Sequence, residues 1–213
     1  MNAAVSRSLV VVSAGMGVPS STRLLADRLS AAVDRHLRDA SIEAHIEIIE
    51  LREHAQDLTN NLLTGFPSPK LQAAIDIVVA ADGLIAVTPI FSASYSGLFK
   101  MFFDVLDRDG LAGKPTLIGA TGGTPRHSLS IEHAIRPLFA YLNAAVVATG
   151  VYAAAEDWGG GGMTADRSLV ERTDRAAGEL AVAMVARQHS APTDPFESPT
   201  PFEQVLRSNS TPD

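Results

Sequence analysis

The chain has 213 residues, 46% of them hydrophobic, with a net charge of −7 and no cysteine. That length suits one well-buried domain rather than two, the acidic balance without a Lys/Arg stripe leaves no electrostatic footprint for nucleic acid or an anionic membrane, and the missing cysteines exclude disulfides, thiolate metal sites and a Cys nucleophile. No apolar run reaches the roughly 18 to 20 residues that cross a bilayer, and the first eight residues lack a signal-peptide core, so a cytoplasmic protein is expected.

Residues 9–12 form a short uninterrupted apolar run, the pattern of a parallel strand covered on both faces. A helical period follows over residues 23–37. Residues 45–51 mix Glu47 and Glu50 into an apolar series, which reads as an edge strand with one side in solvent. A helix is then expected over 70–81, a buried strand over 84–87, a helix over 97–106, a strand over 116–120, a helix over 130–142, a strand over 145–148 and a helix over 166–189. Five β-α units with right-handed crossovers and a solvent-facing second strand predict an α/β, flavodoxin-like three-layer sandwich, its five-stranded parallel sheet in the order 2-1-3-4-5. Ligands of such sheets bind beyond the carboxyl ends of the strands, so the loops after Val12, Val87 and Ala120 carry the site. Beyond His189 the composition changes: five prolines between Pro192 and Pro212, with Phe196 and Phe202 as apolar anchors, divide the chain into a domain of residues 1–190 and a Pro-rich arm of 191–213; such a tail can be disordered, and its Phe residues favour docking on this subunit or a neighbour.

The first of these loops runs from Ser13 through Gly15, Gly17 and Pro19 to Ser20, Ser21, Thr22 and Arg23. Its hydroxyls stand where helix amides are unpaired, and one of them can serve simply as the helix cap. Arg23 in the first turn is unfavourable beside the positive end of the helix dipole unless an anion binds alongside, and no Glu follows at capping-box spacing. A Walker loop is missing, and Gly15 and Gly17 do not extend into a Rossmann fingerprint. A nucleotide with one phosphate and no adenosine fits this loop, a description that FMN meets. The third-strand segment has Thr88, Pro89, Ile90, Phe91, Tyr95, Ser96 and Gly97, suited to a flat ring with polar edges. After the fourth strand come Thr121, Gly122, Gly123, Thr124, Arg126 and His127, where paired glycines let backbone amides approach a planar ligand. The remaining histidines show no metal spacing, and no metal site is expected.

Taken together, the loop ending in Ser20, Ser21, Thr22 and Arg23, the run 81–85, the block 88–97 with Lys100, and the run 120–124 with His127 resemble the NAD(P)H-dependent FMN reductases of the flavodoxin-like superfamily. The likeness is greatest to the reductases of two-component monooxygenase systems and covers residues 9–151. The Pro-rich tail and the Trp158 segment with its glycines at 159–162 depart from the shorter reductases and look closer to a branch paired with luciferase-like monooxygenases. The resemblance implies that Ser13, Ser20, Ser21, Thr22 and Arg23 surround the FMN phosphate. It implies that Thr88, Pro89, Ile90 and Phe91 border the isoalloxazine and that Thr121, Gly122, Gly123 and Thr124 line its pyrimidine side. It places Tyr95 where flavin-releasing members carry an aromatic residue or His in a distorted helix at the subunit interface, although core packing serves equally for Tyr95. His127 is a ligand-contact candidate, and Arg126 a candidate for the extra phosphate of NADPH.

The helix over 97–106 is apolar around too much of its circumference for one buried face, which predicts exposed Phe in a monomer and hence a homodimer or homotetramer. Hydride transfer to a flavin needs geometry more than an acid or base, and no catalytic residue is singled out. The expected activity is NAD(P)H:FMN oxidoreductase, with NADPH or NADH as donor and reduced flavin passed to a flavin-dependent monooxygenase. An FMN-containing quinone or azo reductase and a flavodoxin-type electron carrier are the alternatives.

Overall fold

The computed structural model describes residues 6–158 and 163–187. In chain order the elements are β1 (Ser6–Ser13), α1 (Ser21–Asp39), β2 (Glu43–Glu50), α2 (Ala55–Thr64), α3 (Pro69–Ala80), β3 (Gly83–Phe91), β4 (Ser94–Tyr95), α4 (Gly97–Asp104), β5 (Pro115–Gly122), α5 (Arg136–Tyr141), β6 (Ala145–Val146), β7 (Val151–Ala154) and α6 (Met163–Ala186). The arm of residues 191–213, the end of the expected last helix at His189 and the glycines 159–162 lie outside the described residues.

Side-chain alternation along the strands divides the interior into two layers. Leu9 and Val11 of β1, with Ile85 and Val87 of β3, pack against Leu25, Leu29 and Val33 of α1 and Leu180 and Met184 of α6. Val10, Val12, Leu84 and Ala86 face the opposite layer, built from Leu71 and Val78 of α3, three Phe of α4, and Phe139 of α5. β2 lies at the edge, and its burial alternates along most of its length, as its interspersed Glu predict. Parallel pairing gives the path β2-β1-β3-β5-β6, the expected 2-1-3-4-5 order.

Two departures refine that order. The last sheet position is split: β6 pairs with the start of β5 and β7 with its end, both parallel. A Cβ on Gly150, in the break, would meet Ile131 Cγ2 at 2.5 Å, so the backbone passes too close to the neighbouring layer for a side chain. The break is held from both sides, because Arg136 donates to the Val147 and Ala148 carbonyls at 2.9 Å each and Glu179 accepts from Thr149 N at 2.8 Å. The other departure is β4, which folds back antiparallel on β3 to pair Tyr95 with Ile90 and Ser94 with Phe91.

The aromatic-rich α4 turns inward, against expectation. Phe99, Phe102 and Phe103 are all buried and make tilted or edge contacts with one another and with Phe139 at 4.7–6.1 Å. Ring pairs of this kind add about 0.5–1.5 kcal/mol beyond burial. They occupy the layer between β3, α2 and α5, so an exposed Phe stripe on this helix does not exist. Lys114 is buried at the start of β5 and donates to the Val79 carbonyl at 3.1 Å and to the Ala81 carbonyl, closing the carboxyl end of α3. Desolvation lowers its pKa from 10.5 to about 8.

Candidate functional site

The carboxyl ends of β1, β3 and β5 meet where parallel pairing sets Ser13 opposite Val87 and Pro89 opposite Thr121. Above them opens a cleft of about 360 Å³ lined by Ser21, Pro89, Ile90, Phe91, Thr121, Gly122, Gly123, Ala155 and Trp158. That volume lies within the range of small-ligand sites, about 300–1,000 Å³. Seven of the fifteen residues expected around a flavin therefore line one cavity.

The loop from β1 brings hydroxyls to the head of α1. Ser20 is the cap of that helix, its Oγ accepting from Arg23 N at 3.2 Å, so the plain capping role holds for this residue. Gly15 is required beside it, since a Cβ there would fall 2.1 Å from Ser20 Oγ. Thr22 is buried and shares a 2.8 Å hydroxyl bond with Thr121, tying the head of α1 to the end of β5. Ser13 is buried, and its Oγ has no hydrogen-bond partner among the described residues. No acidic residue occupies the first turn of α1.

Arg23 corrects an expectation. Its Nε donates to Asp27 at 2.8 Å and its Nη1 pairs with Glu50, which also binds Arg52 at 2.7 Å. The Asp27 hydrogen bond is the foremost cause that raises the Arg23 pKa. The anion that the first turn seemed to lack is thus supplied one turn on by Asp27 and across the sheet edge by Glu50.

β3 extends to Phe91, further than the apolar run 84–87, and then turns through Ser92 and Ala93 at φ 49° and 67°. Thr88 does not line the cleft: its buried Oγ1 accepts from Ser96 N at 3.0 Å and donates to the Pro89 carbonyl at 3.0 Å, joining β3 to the cap of α4. Thr88 is a strap rather than a cleft residue. Tyr95 lies in β4, not in a helix, and packs against Phe99 at 6.0 Å within the core layer. The distorted helix lies elsewhere: one π turn spans Ile131–Ile135 and continues into α5, with β4 packed beside it.

The two glycines after Thr121 differ in their surroundings. A Cβ on Gly122 would land 2.1 Å from the Tyr152 hydroxyl, which donates to the Thr124 carbonyl at 2.7 Å, whereas a Cβ on Gly123 meets nothing within 4 Å among the described residues. Gly122 is therefore explained by the protein's own Tyr152, and only Gly123 opens the cleft. Desolvation, then Asp157, raises the Tyr152 pKa. Thr124 caps the short turn Pro125–His127, its Oγ1 accepting from Arg126 N at 3.4 Å. Arg126 and His127 are exposed, and neither lines the cleft.

Sequence reasoning did not place Ala155, Trp158 or Tyr152 in the site. The first two arrive on the 3-10 turn Ala155–Trp158 that follows β7, and Tyr152 through the register that pairs it with Ala120. The lone Trp was the available signal. Among the described residues no group of His, Asp and Glu is placed to hold a metal, and no helix is long and apolar enough to cross a membrane.

Residues 8–159 match the family model described as NADPH-dependent FMN reductase. FMN reductase (NADPH) of Pseudomonas aeruginosa is 37% identical over 150 residues, 70% of this chain and 78% of the relative. The crystal structure of an oxidoreductase from Corynebacterium diphtheriae superposes with TM-score 0.83 at 45% identity, over 87% of this chain and 100% of the other. A flavodoxin, the WrbA-like protein of Agrobacterium tumefaciens, shares the fold alone, with TM-score 0.57 at 17% identity over 85% and 99% of the two chains. With its flavodoxin-like sheet and its cleft at the strand ends, the chain belongs to the NADPH-dependent FMN reductase family, oxidoreductases that act on FMN with NAD(P)H.

Proposed function

We propose that this cleft holds FMN, its phosphate over the first turn of α1 and its isoalloxazine between Pro89, Ile90 and Phe91 on one side and Gly122, Gly123 and Thr124 on the other. The observation that carries this reading is the single cavity shared by Ser21, Pro89, Phe91, Thr121 and Gly123 at the switch point of the sheet. The residues fit the group. A helix head with no acid in its first turn and three hydroxyl residues favours a phosphate. The Ser13 hydroxyl, buried without a partner among the described residues, calls for one more polar atom nearby. Gly123 leaves room for a ring to lie against backbone.

Bound FMN supplies the two-electron chemistry, taking hydride from NAD(P)H. The chain's part is to bind and orient. The amides and hydroxyls at Ser21 and Thr22 fix the phosphate end, and Arg23 adds positive charge already moderated by Asp27 and Glu50. Pro89 presents no N–H to the ring, Ile90 and Phe91 exclude water from one side, and the Thr22–Thr121 pair holds the two halves of the cleft at fixed separation.

Phe91, which lines the cleft, is 52% exposed, and the loop between β1 and α1 exposes Met16 (55%) and Val18 (82%). An open rim favours a flavin that exchanges, and on this reading reduced flavin passes to a flavin-dependent monooxygenase in the cytoplasm. The assembly is a homodimer or homotetramer; with α4 turned inward, Leu63 and Phe66 at the end of α2 offer apolar surface for a second copy. NADPH and NADH oxidation with and without added FMN, FAD and a quinone tests the activity. Turnover that depends on added FMN and exceeds that with quinone is expected. Quinone reduction by a protein that retains its flavin would overturn the exchanging-flavin reading.

A further inference from the structure

Trp158 is the only tryptophan in the chain, and nothing in the loops expected to bind flavin involves it. Its turn is fixed at the base: Asp157 Oδ2 accepts from Ala154 N at 2.8 Å, and Arg172 lies 3.6 Å from the other carboxylate oxygen while donating to the Tyr152 carbonyl at 3.2 Å. Arg28, from the second turn of α1, places its guanidinium carbon 4.9 Å from the indole centroid. A cation at that distance attracts the face of an aromatic ring and restrains its tilt. The indole packs partly against the α1/α6 layer and lines the cleft that Pro89, Phe91 and Gly123 also line. A core plug would have no such open side.

We propose that Trp158 is a contact wall for the isoalloxazine, with Arg28 its positioning residue, so that the flavin is held by an aromatic surface from the last strand as well as by the loops of β1, β3 and β5. The assignment rests on the FMN reading of the cleft. A planar heteroaromatic ligand suits it because an indole restrained by its neighbours offers large contact area with little entropy left to lose on binding. It also suits a flat ring that slides in beside Gly123, the one glycine of the loop after β5 with no described residue against its missing side chain.

Two properties separate contact from mere packing. Indole donates an electron to excited flavin at contact range, which quenches flavin emission, while a phenyl ring does not; and indole does not absorb visible light, so visible excitation reads the flavin alone. Calorimetric FMN affinity and visible-excited emission of bound FMN are measured for the wild type, Trp158→Phe and Trp158→Leu, together with KM for NADPH and NADH. Trp158→Leu is expected to raise the FMN Kd about two- to tenfold, the worth of an aromatic pair. Trp158→Phe should stay near wild-type affinity but recover flavin emission, a change that a structural role would not produce. FMN binding by Trp158→Leu at wild-type affinity, or emission equally quenched in Trp158→Phe, overturns the proposal. So does an effect confined to KM for the nicotinamide, which would leave the FMN reading intact. A wild-type protein that binds no FMN overturns that reading, and this proposal with it.

Discussion

Gly122→Ala offers the sharpest test of how the loop after β5 is built. The new Cβ would fall 2.1 Å from the Tyr152 hydroxyl and 3.1 Å from Cζ. Against a contact distance of about 3.5 Å, the hydroxyl must retreat by about 1.4 Å. That retreat breaks its 2.7 Å bond to the Thr124 carbonyl. A buried hydroxyl and a carbonyl left unpaired cost about 1–3 kcal/mol, and the overpacking itself costs about 1–3 kcal/mol more. The expected destabilisation is about 2–6 kcal/mol, read as a lower urea midpoint at unchanged m-value. Tyr152→Phe alone should cost about 1 kcal/mol, and adding it to Gly122→Ala should recover part of the loss, because the atom in the way has gone. Gly123→Ala is the control: its Cβ meets no protein atom, so stability should stay within about 0.5 kcal/mol of wild type while the FMN Kd rises. Wild-type stability in Gly122→Ala would refute the Tyr152 account. Unchanged FMN affinity in Gly123→Ala would remove that residue from the ring site.

Ala93 holds a left-handed φ of 67° at an exposed hairpin position, so Ala93→Gly should raise stability by about 1 kcal/mol in thermal or urea unfolding, and a loss would show that the turn is not strained. Lys114 has a folded pKa of about 8 against about 10.4 in the unfolded chain, so the unfolded state binds more protons between those values. The wild type should therefore gain stability relative to Lys114→Met as pH rises from about 8 to about 10, and a flat difference across that window would contradict a desolvated ammonium. Arg23→Ala should weaken FMN about 10- to 150-fold, the worth of a lost charge-assisted hydrogen bond of about 1.5–3 kcal/mol, and leave riboflavin binding nearly unchanged; equal loss for both ligands would place Arg23 away from the phosphate.

Strands β1, β3 and β5 were legible from their apolar runs, and the order of the sheet followed from the Glu residues that mark β2 as an edge; the buried β7 was not, because the expected last strand, 145–148, falls on β6 and the break that follows it. Helix α2 was not legible. Its sequence carries Thr59, Asn60, Asn61 and Thr64, weak helix formers, and only Leu58 and Asn61 are buried, too few to print a period. The inward turn of α4 could not be read from its own sequence either, since a helix that is apolar all round looks the same whether a second subunit or its own core covers it. In the site, residue type identified the loops, but not which of their members line the cavity. Thr88 and Pro89 are neighbours in sequence, yet only Pro89 reaches the cleft. The acids that pair with Arg23 were not legible because Asp27 lies one turn on and Glu50 on another strand.

The bond between Thr22 and Thr121 joins two hydroxyls, and either can be the donor. Such a pair has two protons and spends one on the bond, so the other remains to be offered from whichever side is not donating. Reversing the bond moves that spare proton from the helix-head side to the ring-loop side with no heavy atom displaced. The tie that fixes the width of the cleft can thus present a donor or an acceptor at either end, and the cavity keeps its shape while its polarity changes.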